Sequence, residues 1–105
     1  MKLLILQTHS HDHPLAQDSY GVISTAAMLD LEVTLVLCAE GISHLSQPDL
    51  VSHLHSAFDF GLKKIYVIEG PSGADLSKSE DVQFERASAA DLGNLIEIHD
   101  KVLTF

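Results

Sequence analysis

The sequence predicts an α/β domain with a mostly parallel sheet. Two observations carry that expectation. Short, nearly continuous apolar runs recur along the chain, as they do in strands covered on both faces. Between them lie helical patterns, and alternation of this kind gives parallel strands joined by right-handed crossovers. A chain of 105 residues with 46% hydrophobic content is large enough for one core and fits a single domain over 1–105. The expected architecture is a three-layer α/β/α sandwich around a mostly parallel five-stranded sheet.

Leu3-Leu4-Ile5-Leu6 is the first expected strand. It could be mistaken for a signal peptide, but the run is short and polar Gln7-Thr8-His9 follows without a small-residue cleavage site. From Ala16, apolar or aromatic residues recur at Tyr20, Ile23, Ala27 and Leu31, a spacing that keeps one helix face buried. Val33-Thr34-Leu35-Val36-Leu37 is the second strand. The second helix has a stripe of Leu50, Leu54, Ala57 and Phe58. Ser46-Gln47-Pro48-Asp49 suggests a capping box at its start, and Gly61 suits a left-handed position after its end. Ile65-Tyr66-Val67-Ile68 is the third strand. Glu69-Gly70-Pro71-Ser72-Gly73 is turn chemistry, with a short helical turn expected over 74–77. Val82-Gln83-Phe84-Glu85-Arg86 alternates as a strand near an edge does. Ser88-Ala89-Ala90-Asp91 caps a last helix whose face is Leu92, Leu95, Ile96 and His99, and Lys101–Phe105 closes the sheet. Ligands on such sheets bind beyond the carboxyl ends of the strands, so loops 7–14, 38–47, 69–77 and 86–89 form one rim.

Fifteen acidic residues against six basic ones give a formal charge of −9. A surface that negative repels phosphate backbones, so direct nucleic-acid binding is not expected. No apolar run approaches a membrane span. A single cysteine excludes an internal disulfide framework and fits a reducing compartment, with the cytoplasm as the default.

The most conspicuous cluster is Thr8-His9-Ser10-His11-Asp12-His13-Pro14. His9, His11 and His13 alternate along the chain, and with His44 from the neighbouring rim loop they form a candidate Zn or Ni site. The spacing matches no finger or helical metal signature, and a solvated His-rich loop with no cofactor is the favoured account of it. His53 and His55, two apart on a helix, do not face one another and suit a surface. Cys38 ends the second strand and is the candidate nucleophile or sulfur carrier. Against that, it continues an apolar strand, Glu40 would raise its pKa, and it has no CxxC partner. No phosphate loop, nucleophile elbow or HExxH motif is present in the sequence.

An MK-apolar strand, a long first helix, a VTLVLCAEGI segment, a KKIYVIEG strand and a terminal D-x-V-L-x-F together resemble the DsrE/DsrF-like family. Within it the likeness is closest to the DsrF and TusC-type subunits. Its most specific parts are Leu37-Cys38-Ala39-Glu40-Gly41-Ile42 and Asp100-Lys101-Val102-Leu103-Thr104-Phe105. The resemblance implies a small sandwich working in oligomers, either of itself or with DsrE/TusD- and DsrH/TusB-like subunits. Such complexes pass persulfide sulfur toward 2-thiouridine in tRNA or in dissimilatory sulfur oxidation. The sulfur-carrying DsrE/TusD-type subunits have a cysteine at the end of the third strand or just after it. The matching positions are Val67, Ile68 and Glu69, so that role does not transfer. TusC-like subunits also lack the acceptor, which implies a structural rather than enzymatic role. The first loop departs as well: relatives have a short Pro/Gly/Thr segment where this chain has the histidines.

Overall fold

The computed structural model describes residues 2–10, 12–68 and 84–105. Five strands, β1 (Lys2–Gln7), β2 (Glu32–Cys38), β3 (Leu62–Ile68), β4 (Glu85–Ala87) and β5 (Lys101–Thr104), form one sheet in the order β4-β3-β2-β1-β5. Among the described residues every pairing is parallel. Helices α1 (Pro14–Met28) and α2 (Pro48–Ala57) pack on one face and α3 (Ala89–Ile98) on the other. The three-layer sandwich expected from the sequence is therefore observed.

The strand pleat divides the core. Leu3, Ile5, Val33, Leu35, Leu37, Ile65 and Val67 join Ile23, Ala26, Leu54 and Ala57 on one face. Leu4 and Val36 meet Leu95 on the other, with Leu6, Tyr66, Leu92 and Val102 at its margin. Continuous apolar runs were needed because alternate residues feed different layers. Thr34 is the buried polar residue of β2. Its hydroxyl meets His99 Nε2 at 3.0 Å, while His99 Nδ1 lies 2.6 Å from the Leu95 carbonyl. A carbonyl only accepts, so Nδ1 carries the proton and Nε2 accepts from Thr34. His99 thus ties the end of α3 to the middle of the sheet.

The helix ends show where sequence pattern sufficed. Ser88 and Asp91 form the expected capping box on α3. The amide of Ser88 donates to Asp91, which holds that carboxyl below its ordinary range. Helix α1 ends before Leu31. Asp30 takes the left-handed position at φ 57°, and the Leu31 amide returns to the Ala26 carbonyl at 3.0 Å in a Schellman-type closure. The buried positions on α1 accordingly include Ser19, Ile23 and Ala26. On α3 the expected stripe is narrower than four residues: Leu95 is buried, whereas Ile96 is exposed.

Two local expectations need correction. Residues 38–47 do not form a loop; Ala39–Ser46 is a 3₁₀ helix that runs almost into α2. As a result Gln47, not Ser46, is the N-cap of α2, and no side chain caps it. Pro48 starts that helix without an amide to satisfy, which lowers the need for a cap. Strand β4 begins at Glu85, later than expected; Val82, Gln83, and the turn and short helix expected over 69–77 lie outside the described residues.

Gly61 has φ 123°, consistent with the turn into β3 that its place predicted. Gly41 answers a different demand. A Cβ there would collide with the Gln7 carbonyl oxygen, because the 3₁₀ helix rests directly on the end of β1. Gly41→Ala is expected to destabilise the protein by about 1–3 kcal/mol through overpacking against rigid backbone. Gly21→Ala, where a Cβ meets nothing within 4 Å, is expected to stabilise helix α1 by about 0.5–1 kcal/mol. Chemical denaturation of the two variants checks the opposite signs.

Candidate functional site

Because all five strands are parallel, their carboxyl ends lie along one edge, and buried polar residues gather there at Gln7, Ser19 and His44. Gln7 ends β1 and is 1% exposed, and its side-chain amide donates to Ser19 Oγ on α1 at 2.5 Å. The other amide atom, Oε1, has no hydrogen-bond partner. His44, on the 3₁₀ helix, is fully buried. Its Nδ1 lies 2.7 Å from the Tyr20 hydroxyl and its Nε2 lies 3.1 Å from the His9 carbonyl oxygen. That carbonyl can only accept, so Nε2 bears the proton and Nδ1 accepts from Tyr20. Burial pushes the Tyr20 phenol well above its ordinary pKa, which keeps it a hydroxyl donor.

Aromatic contacts extend this group. Tyr20 packs at 5.6 Å from the His44 ring centroid and takes His53 edge-on at 5.0 Å. His9 and His13 stack with centroids 4.0 Å apart. One buried imidazole therefore joins the segment after β1, helix α1 and the 3₁₀ helix, with α2 touching from outside through His53.

The predicted site residues fall as follows. His9, His13 and His44 are in one neighbourhood, whereas His11 lies outside the described residues. His9 and His13 lie face on face rather than aimed at a common centre. Both ring nitrogens of His44 are hydrogen-bonded within the fold, so ligation would require it to release Tyr20 or the His9 carbonyl. Among the described residues no three His, Cys, Asp or Glu side chains are grouped to hold a metal ion. His55 is exposed, and His99 serves the opposite face of the sheet.

Cys38 is half-buried at the end of β2, paired in register with Ile68 of β3. Its Sγ lies 3.9 Å from the Gln7 carbonyl oxygen, the same atom on which Gly41 rests. Burial raises the pKa of its thiol. Ala39, the next residue, has φ 52°, a left-handed conformation that alanine rarely adopts. Tyr20, Gln7, Ser19 and Gly41 carry this site without having been singled out as functional. The one sequence signal was Gln7: it continues the odd-numbered buried side of β1, so a polar side chain there demanded a partner.

No family model matches the chain, and no curated protein matches it. Among solved structures, it is similar to the ychN protein from E. coli, with 12% sequence identity and a TM-score of 0.67 over 99% of this chain and 97% of that one. The two share a fold. This supports the DsrE-like fold implied by the sequence; at such identity the ychN likeness transfers no substrate, partner or residue role. Among the described residues, no helix is long and apolar enough to cross a membrane.

The thiol of Cys38 should be slow to alkylate. Its raised pKa keeps it protonated through neutral pH, and the thiolate is the nucleophile. Iodoacetamide labelling of the folded protein is expected to lag a free cysteine at pH 7 and to rise only above the ordinary thiol range. The folded state also holds this proton more tightly than the unfolded chain, so its contribution to stability is full below the ordinary thiol pKa and is lost as pH climbs past it. Labelling as fast as a free thiol at pH 7 would contradict this description.

Proposed function

We propose that the protein is a non-catalytic, oligomerising DsrE/DsrF-like subunit of TusC type, serving a cytoplasmic sulfur relay in tRNA 2-thiolation or sulfur oxidation. The observation that carries the reading is the end of β3. Val67 is buried and Ile68 half-buried where sulfur-carrying relatives place their cysteine, so no thiol is offered there. The rim is occupied instead by an internal hydrogen-bonded group centred on His44, which suits a scaffold better than an acceptor site. Apolar side chains stand out in solvent at Ile96 and Ile98 on α3 and at Leu103 on edge strand β5. Exposed apolar residues near an unpaired strand edge suit assembly with further subunits. With a net charge of −9, contact with RNA would belong to a partner subunit rather than to this chain.

One observation favours a second reading, a persulfide carrier. Cys38 lies directly beside Ile68 in the sheet register, one strand away from the position used by carrier subunits. In that reading the Cys38 thiolate attacks the sulfane sulfur of a donor persulfide, and the donor leaves as its own thiolate.

Purification from the native host tests the first reading. The protein is expected to elute as an oligomer, either of itself or with sulfur-relay chains identified by mass spectrometry; a strict monomer with no such chain would overturn it. Incubation with a cysteine desulfurase and labelled cysteine separates the two readings. The scaffold reading expects wild type and Cys38→Ser to stay equally unlabelled, and label confined to the wild type establishes the carrier.

A further inference from the structure

We propose that the 3₁₀ helix Ala39–Ser46 is a latch over the carboxyl ends of β1 and β2, held shut by His44, and that its release increases the exposure of the half-buried Cys38 thiol. This does not depend on whether Cys38 carries sulfur.

Three observations make the segment a device rather than a plain connection. It is long for its type. Runs of 3₁₀ helix beyond three or four residues are uncommon because their hydrogen-bond geometry is poor, and this one spans eight residues. It is strained at its hinge, since Ala39, immediately after Cys38, is held at φ 52°. Such a conformation persists only where surrounding contacts impose it. Finally, it is pinned by a buried polar side chain. His44 is 0% exposed, with Tyr20 donating to Nδ1 and Nε2 donating to the His9 carbonyl.

The latch and the thiol share a contact. Cys38 Sγ and the Gly41 backbone both sit against the Gln7 carbonyl, so the first turn of the 3₁₀ helix closes over the same strand end that shelters the sulfur. Lifting the segment relieves Ala39, returns the Gln7 amide and carbonyl to water, and uncovers Cys38. Gln7 Oε1 already lacks a partner in the closed form, so hydration on opening favours release. Two opposing tendencies are thus built into one element: strain and an unpaired acceptor favour opening, and the His44 hydrogen bonds hold it closed.

Thiol labelling of Cys38 against urea concentration, well below the global unfolding transition, decides the matter. Tyr20→Phe keeps the ring and its packing but removes the hydroxyl that donates to His44 Nδ1. It is expected to raise the labelling rate by about tenfold or more, with little dependence on urea, because a short segment exposes little surface on opening. Leu95→Ala weakens the core on the opposite face of the sheet. Its labelling should follow global unfolding, with a steep dependence on urea. Wild-type rates in Tyr20→Phe would overturn the latch, as would labelling in both variants that tracks global unfolding alone.

Discussion

The closed rim depends on a buried imidazole whose two nitrogens face opposite requirements. His44 must donate to a carbonyl and accept from a phenol, and only one neutral tautomer does both. A fully buried polar ring without both partners would cost more than its burial returns. The segment after β1, helix α1 and the 3₁₀ helix are therefore fixed relative to one another by a hydrogen-bonding condition. Gly41 satisfies the steric half of the same arrangement, since only a residue without Cβ lets the 3₁₀ helix reach the Gln7 carbonyl.

Beneath that rim the sheet is ordinary in its logic. A parallel sheet needs cover on both faces, and the strands supply apolar side chains to each. Helices α1 and α2 follow β1 and β2 on one face, and α3 returns the chain across the other to place β5 beside β1. The ends are stitched by hydrogen bonds: the Thr8 amide and hydroxyl both donate to the Phe105 carbonyl, and the Lys2 amide donates to the Asp100 carboxylate. A second imidazole, His99, fixes α3 to Thr34 by the same donor and acceptor logic used at His44. Histidine serves this fold twice as a two-ended clasp.

How much of this was legible in the sequence follows from what each feature requires. Strands, helix faces and the Ser88–Asp91 cap were legible because periodicity and local hydrogen bonding act over a few residues. The Ala39–Ser46 helix was not, since its conformation is imposed by contacts of Gly41 with Gln7 and of His44 with His9 and Tyr20, each spanning more than twenty residues of sequence. The histidines were conspicuous by type, and His9 and His44 do meet, but through a backbone carbonyl that no side-chain pattern encodes. Tyr20 was legible only as an apolar position on α1, because the pattern that reveals packing is silent about where a hydroxyl points. Cys38 was placed correctly at a strand end, while its shelter by the Gln7 carbonyl needed the fold.

His44 is a structural pin in a fixed tautomer, with both ring nitrogens engaged inside the fold. Nitrogen-15 spectroscopy of histidine-labelled protein tests this most directly, because the two ring nitrogens report their protonation separately. His44 is expected to show a persistent Nε2–H tautomer with an unprotonated Nδ1, which loses its uniqueness in Tyr20→Phe. An Nδ1–H tautomer, or rapid averaging between the two as in a solvent-exposed imidazole, would contradict it.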